Sequence, residues 1–244
     1  MAFLRALLAE FVGTAFLLAT VVGSGIMAKN LDASNVCILV LCVALATTGV
    51  LTALIFAFGS ISTHFNPAVT LVTALRKEIA WKKAIPYIVV QCLGAIFGTI
   101  LTNMMFDLPA AQISDTVRYG AGQWLGEAIA TFGLIGIILG TVRNNAAAVP
   151  FAVSFYVGGA IFFTSSTCFA NPAVTIGRVF TATPTGIDPL SVAPFVLTQI
   201  GAAIVACYFF GFLFAQPKAK VQASEIEALD RALKNSPDAE PVVG

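Results

Sequence analysis

The chain has 244 residues, 58% of them hydrophobic and only 10% charged, with a formal net charge of +1. So little charge excludes an ordinary soluble domain, and the near-neutral balance excludes the basic face that nucleic-acid binding needs. The expected surroundings are membrane lipid, with six apolar runs of roughly 18 to 25 residues, each long enough to cross a bilayer as a helix.

The first run covers 5–28 behind a single Arg5. It is long and lacks a small-residue cleavage site, so it is expected to be a retained span and not a cleaved signal. It carries Ala9-Glu10-Phe11-Val12-Gly13-Thr14. The second run, 36–58, leads through Ser60-Ile61-Ser62-Thr63-His64 into Asn66-Pro67-Ala68. The third, 84–106, holds Gln91-Cys92-Leu93-Gly94-Ala95. The fourth, 124–142, opens on Gly126-Glu127-Ala128-Ile129-Ala130-Thr131, a weaker echo of the first. The fifth, 149–168, runs into Cys168-Phe169-Ala170 and a second tripeptide, Asn171-Pro172-Ala173. The sixth, 194–215, carries Gln199-Ile200-Gly201-Ala202, which matches the third once one residue is skipped. From Gln216 the chain is polar. Ser224-Glu225-Ile226-Glu227 fits a capping box, and a short cytoplasmic helix and a solvated disordered tail fit this stretch equally well.

Two halves, about 1–110 and 120–215, therefore make one domain of about 215 residues, followed by the tail at 216–244. Asn66 and Asn171 are 105 residues apart, close to the 108 between Gln91 and Gln199. Each half holds three spans, an odd number, so the halves run in opposite directions across the membrane as an inverted repeat. Lys and Arg set the orientation. With both ends inside, the inner segments hold ten of them and the outer segments only Lys29, Arg118 and Arg178, which predicts cytoplasmic termini. Four of the five cysteines (37, 42, 92, 168 and 207) are expected to be buried small hydrophobes. His64 is the only histidine, which argues against a His-based metal site, and neither a nucleophile–base pair nor a cofactor motif appears.

Asn favours the N-cap of a helix and Pro its first turn, so Asn-Pro-Ala reads as a helix start. Behind each copy the chain stays apolar only from Val69 to Leu75 and from Val174 to Phe180, half a crossing at about 1.5 Å per residue. Two re-entrant half-helices meeting N-terminus to N-terminus near the midplane follow. Each N-terminus carries about half a positive charge. Each Asn uses its oxygen on its own helix and is expected to leave its amide donors free. Such a centre suits a neutral, oxygen-bearing solute and repels cations.

On both Asn-Pro-Ala copies, the Ala-Glu-Phe-x-Gly-Thr start and the Gln-x-x-Gly-Ala of the third and sixth spans, the chain resembles the aquaporin, or major intrinsic protein, family from about 5 to 215. The resemblance implies an all-α membrane protein with six transmembrane helices plus two re-entrant half-helices. It implies one pore per subunit in a homotetramer, no cofactor and no metal. Glu10 and Glu127 would brace the re-entrant loops, and His64 would line the pore. Most of the family has Arg directly after the second tripeptide, where this chain has Val174. Counting from Asn171 carries the filter onto Gly159, Cys168 and Val174, with the fourth position at Thr47 or, if the shorter loop shifts it, Ala46. That small, mostly neutral set resembles a bacterial aquaglyceroporin-like subgroup associated with trivalent arsenic hydroxide and methylated arsenicals. Glycerol, urea, ammonia, arsenous acid and water all remain candidates, in a bacterial inner membrane. A non-conducting junction or scaffold member of the same fold is the other reading. Arg178, one turn beyond Val174, either faces the outer vestibule, snorkels to the interface or pairs with a carboxylate such as Asp188.

Overall fold

A computed structural model describes residues 1–32 and 34–215, all helix and loop with no strand among them. The tail helix considered at Ser224 lies outside the described residues. Eight α-helices follow in order: α1 (Ala2–Leu31), α2 (Val36–Phe58), α3 (Pro67–Leu75), α4 (Trp81–Met105), α5 (Ala121–Asn145), α6 (Val149–Phe163), α7 (Pro172–Gly177) and α8 (Pro189–Leu213).

The predicted spans all appear, with shifted ends. The first is longer at both ends, since Ala2 to Leu31 contains nothing that breaks a helix. The fifth is shorter. α6 stops at Phe163 because the chain must become extended to feed α7, and Thr164, the residue after it, already has ψ 142°. α5 and α6 are joined by a single 3-10 turn, Ala146–Ala148, so Ala121–Phe163 is one helical stretch of 43 residues. It doubles back on itself: Tyr156 of α6 donates its hydroxyl to the Ala130 carbonyl of α5 at 3.1 Å.

The two half-helices start as the tripeptides demand. Asn66 caps α3, its Oδ1 accepting from Ala68 N at 2.8 Å, and Asn171 caps α7, its Oδ1 accepting from Ala173 N at 2.9 Å. Pro67 and Pro172 occupy the first turn, where no intrahelical N–H is needed. α7 then tightens into a 3-10 turn, Arg178–Phe180.

The repeat is visible in the packing. α1 crosses α4, α5 crosses α8, and α2 packs on α6 between them. The α1–α4 crossing is close because α4 presents Gly94 and Gly98, four apart, to the α1 backbone. A Cβ at either would overlap a carbonyl oxygen, that of Phe11 or of Ala15. Such small-xxx-small spacing lets helix backbones approach inside lipid. Gly98→Ala is therefore expected to push α1 and α4 apart and lower the thermal midpoint of the purified protein. Gly49→Ala, where a Cβ would meet nothing within 4 Å, should leave that midpoint in place.

The cysteines depart from expectation. Only Cys168 and Cys207 are buried, Cys42 and Cys92 are half-buried, and Cys37 is exposed on α2. In a bilayer an outward apolar thiol meets lipid, so nothing drives it inside.

Candidate functional site

The two re-entrant loops are held from behind by matching polar clusters. Glu10 of α1 accepts from His64 N at 2.8 Å through Oε1 and from Phe65 N at 2.7 Å through Oε2. Glu127 of α5 accepts from Phe169 N and Ala170 N, both at 2.8 Å. Gln91 donates to Glu10 and to Thr70, and Gln199 donates to Glu127 and to Thr175. Each cluster thus holds a fully buried carboxylate, amide and threonine hydroxyl, and the first adds Ser62, whose hydroxyl donates to Glu10 at 2.6 Å. A buried carboxylate needs this number of donors, and a loop with orphan N–H groups needs that carboxylate.

Phe65 and Ala170, each just before its Asn, stand in the left-handed backbone region with φ of 49° and 45°. Neither is glycine, so the conformation costs free energy that the surrounding bonds must offset. Phe65 O accepts from Asn171 Nδ2, and Ala170 O accepts from Asn66 Nδ2, both at 2.8 Å. Here the sequence expectation needs correction. An amide has two N–H groups, and one of each pair is used across the repeat, so each Asn keeps one donor and not two.

Both Asn residues line a cavity of about 530 Å³. Its lining reaches both ends of the helical bundle, called its two mouths below. One is flanked by Arg118, Arg178, Pro184 and Thr185, the other by Arg76, Glu78, Val142 and Arg143. Between them the wall is aliphatic and follows helical periodicity: Val43, Thr47, Leu51 and Ile55 on α2, and Val149, Val153, Val157 and Ile161 on α6. Thr47 Oγ1 is buried in this wall with no hydrogen-bond partner among the described residues. It is a hydroxyl available to whatever occupies the passage.

Of the four expected filter positions, Thr47, Cys168 and Val174 line the cavity, and Ala46 does not. Gly159 is displaced from it. The residue is exposed on the outer face of α6 with Phe155 and Phe162, and a Cβ there would meet nothing within 4 Å. Two residues are about 200° around a helix, so if Val157 and Ile161 face inward, Gly159 faces outward. Of the α6 residues that line the wall, Ile161 and Val157 flank this position, and Ile161 is the one on the side of Asn171. Counting back from Asn171 misses it because the segment between α6 and Asn171 sets the offset, and that segment's length cannot be assumed. The fourfold apolar spacing of α6 was the signal that could have found it.

His64 lines the cavity, its Nδ1 lying 3.0 Å from Thr70 Oγ1 and its ring edge-on to Tyr87 at 5.7 Å. Arg178 is 4% exposed and makes no bond to Asp188, whose carboxylate instead caps α8 through Leu190 N. Its guanidinium lies 3.5 Å from the centroid of the Phe169 ring, and its Nε donates to Thr185 O. A second arginine, missed in the sequence, stands beside it. Arg118, from the loop between α4 and α5, lies 5.0 Å from the same centroid. It donates to Gly186 O at 2.8 Å and to Pro184 O at 3.2 Å. Burial lowers the Arg118 pKa to about 10, with Glu127 opposing the fall, so it stays charged at neutral pH. No group of three or more metal-ligating side chains occurs among the described residues.

Comparison with known proteins agrees with this architecture. Residues 1–165 match the family model for the major intrinsic protein family. The chain is 44% identical over 203 residues to an aquaglyceroporin, AqpS, of Rhizobium meliloti, covering 83% of this chain and 87% of that one. It is 30% identical over 219 residues to the glycerol uptake facilitator protein-like 6 of Lactiplantibacillus plantarum, covering 84% and 96%. Among solved structures, the aquaglyceroporin from Plasmodium falciparum superposes with a TM-score of 0.62 at 20% identity, over 85% of this chain and 95% of that one, a likeness of fold.

Proposed function

Because the chain belongs to the major intrinsic protein family, a family of passive membrane channels and not of enzymes, we propose that it conducts small uncharged polyhydroxyl solutes, glycerol and arsenous acid among them, together with urea and water. The observation that carries this reading is the cavity wall. It is aliphatic along two helices, offers one amide donor from each of Asn66 and Asn171, and has Val174 where a guanidinium would narrow the passage. Apolar walls suit the carbon or arsenic side of such a solute, while Thr47 and the two amides replace part of its hydration. A bare cation finds neither enough oxygen ligands nor a negative charge at the midplane, where both half-helix N-termini point their positive ends.

The orientation that fits is cytoplasmic termini in a bacterial plasma membrane, with the Arg178 mouth outside, on the ten-to-three division of Lys and Arg. The family resemblance supports a homotetramer with one pore per subunit. The 1–215 segment is then one channel domain, its filter formed by Thr47, Ile161, Cys168 and Val174.

Stopped-flow light scattering on proteoliposomes tests the reading. Glycerol, urea and arsenous acid should each equilibrate faster than in empty vesicles, and the ranking identifies the preferred solute. Rates equal to those of empty vesicles for every neutral solute would overturn it. Cys168 gives a second test, since it alone of the five cysteines lines the cavity. A mercurial should stop solute flux in the parent and leave Cys168→Ser conducting. Block persisting in the variant would remove Cys168 from the passage.

A further inference from the structure

The charges along the cavity are unevenly placed. The Arg76 mouth has an acid, Glu78, bonded to Arg76 at 2.6 Å. The Arg178 mouth has two arginines and no acid among its lining residues. Neither arginine is bonded to a carboxylate among the described residues: Glu127 accepts from Phe169 N, Ala170 N and Gln199, and Asp188 accepts from Leu190 N. Among the described residues the single ion pair is that at the opposite mouth.

Both guanidiniums are nevertheless fixed in place. Carbonyl oxygens hold them: Gly186 and Pro184 for Arg118, Thr185 for Arg178. Phe169 gathers them on one ring, and the two centroid distances bound the separation of their Cζ atoms at their sum, about 8.5 Å. A guanidinium has five N–H donors in a rigid fork. Arg118 uses two on carbonyls and Arg178 uses one, so most of the donors of this pair have no acceptor among the described residues.

Two anchored guanidiniums with open donors and no carboxylate bonded to them can each grip a small tetrahedral anion in bidentate fashion. We propose that Arg118 and Arg178 form a docking site for small inorganic oxyanions of the phosphate and sulfate type, and that an anion seated there obstructs the passage of neutral solutes. The anion binds but does not cross. Beyond the two arginines the donors are Thr47 and one amide each from Asn66 and Asn171, set in an aliphatic wall with Val174, Ile161 and Val157, too few to replace the water shell of a multiply charged anion. A neutral polyol meets the same donors with weaker hydrogen bonds and moves on. The obstruction rests on the channel reading, whereas the binding does not.

The test therefore has two arms. In detergent, sulfate or inorganic phosphate, compared with chloride at equal ionic strength, should raise the thermal midpoint of the parent progressively with concentration, as a ligand of the folded state does. The rise should vanish in Arg118→Gln and Arg178→Gln and persist in Arg143→Gln at the other mouth. Arg118→Lys, which keeps the charge and loses the fork, should retain a weakened response; it also covers a failure of Arg178→Gln to fold. In proteoliposomes, external phosphate at tens of millimolar should slow glycerol entry roughly twofold or more in the parent, with the half-effective concentration at least tenfold higher in Arg118→Gln. No anion-specific stabilisation of the parent, or an equal one in Arg118→Gln, overturns the site. Intact stabilisation with no glycerol entry under any condition keeps the site and overturns the channel reading instead.

Discussion

Replacing Val174 with arginine is expected to cut glycerol permeability by roughly tenfold or more, an added barrier of about 1.4 kcal/mol, while water flux stays measurable. Val174 is 5% exposed in the third position of α7, its backbone N–H 3.3 Å from the Asn171 oxygen that caps the helix. A guanidinium there projects into the same cavity as Thr47, Cys168 and Ile161. It removes width, and it adds a third positive charge to a mouth that already holds Arg118 and Arg178, so its chain cannot fold back toward them without repulsion. The remaining room is in the passage. Val174→Ala separates width from charge: it should leave glycerol entry at or above the parental rate. Equal glycerol permeability in parent and Val174→Arg, at equal protein density in the vesicles, would show that Val174 only packs.

The second large effect is expected at Glu127. Glu127→Ala leaves Phe169 N and Ala170 N without an acceptor and the Gln199 amide with Thr175 alone. Each buried donor so orphaned costs about 1–3 kcal/mol, and breaking a buried charged network as a whole costs about 3–5 kcal/mol. Because Ala170 sits in the left-handed region only while that network holds it, the loop should relax and carry Asn171 out of register. Solute flux should be lost together with a fall in thermal midpoint. Glu127→Gln keeps one acceptor but turns an N–H against an N–H, so it should be intermediate. Asp188→Ala, which removes only the exposed cap of α8, should cost about 1 kcal/mol and serves as the comparison. Equal destabilisation by Glu127→Ala and Asp188→Ala would refute the bracing role of the buried carboxylate.

Much of this was legible before any coordinates. The bracing by Glu10 and Glu127 came from the family resemblance, whereas span lengths and the two half-helices follow from local chemistry: apolar runs of bilayer length and an Asn-Pro start. Those signals are local, and they transfer from sequence to structure without knowledge of loops. Where position depended on counting across a loop, the reading slipped. Gly159 stands two residues from Ile161, and two residues on a helix turn a pore-facing position toward lipid. Arg118 was invisible for another reason. Nothing in the segment 106–120 marks it, and it reaches Phe169 only because Gly186 and Pro184, about 70 residues later, supply the carbonyls that hold it. The joint between α5 and α6 falls at Ala146–Ala148, inside the gap expected between the fourth and fifth spans.

The crossed bonds between the tripeptides have a temporal consequence. Asn66 donates to Ala170, and Asn171 donates to Phe65, so the loop of each half is completed by a carbonyl of the other. A ribosome delivers Asn66 and Phe65 about a hundred residues before their partners, at roughly 5–20 residues per second, so for several seconds the first re-entrant loop exists without its acceptor or its donor. During that interval Glu10 and Gln91 alone can hold it, and the left-handed turn at Phe65 has only part of its support. The first half of the chain therefore enters the bilayer as an unfinished clasp, and arrival of the segment around Ala170 is the event that closes both loops at once.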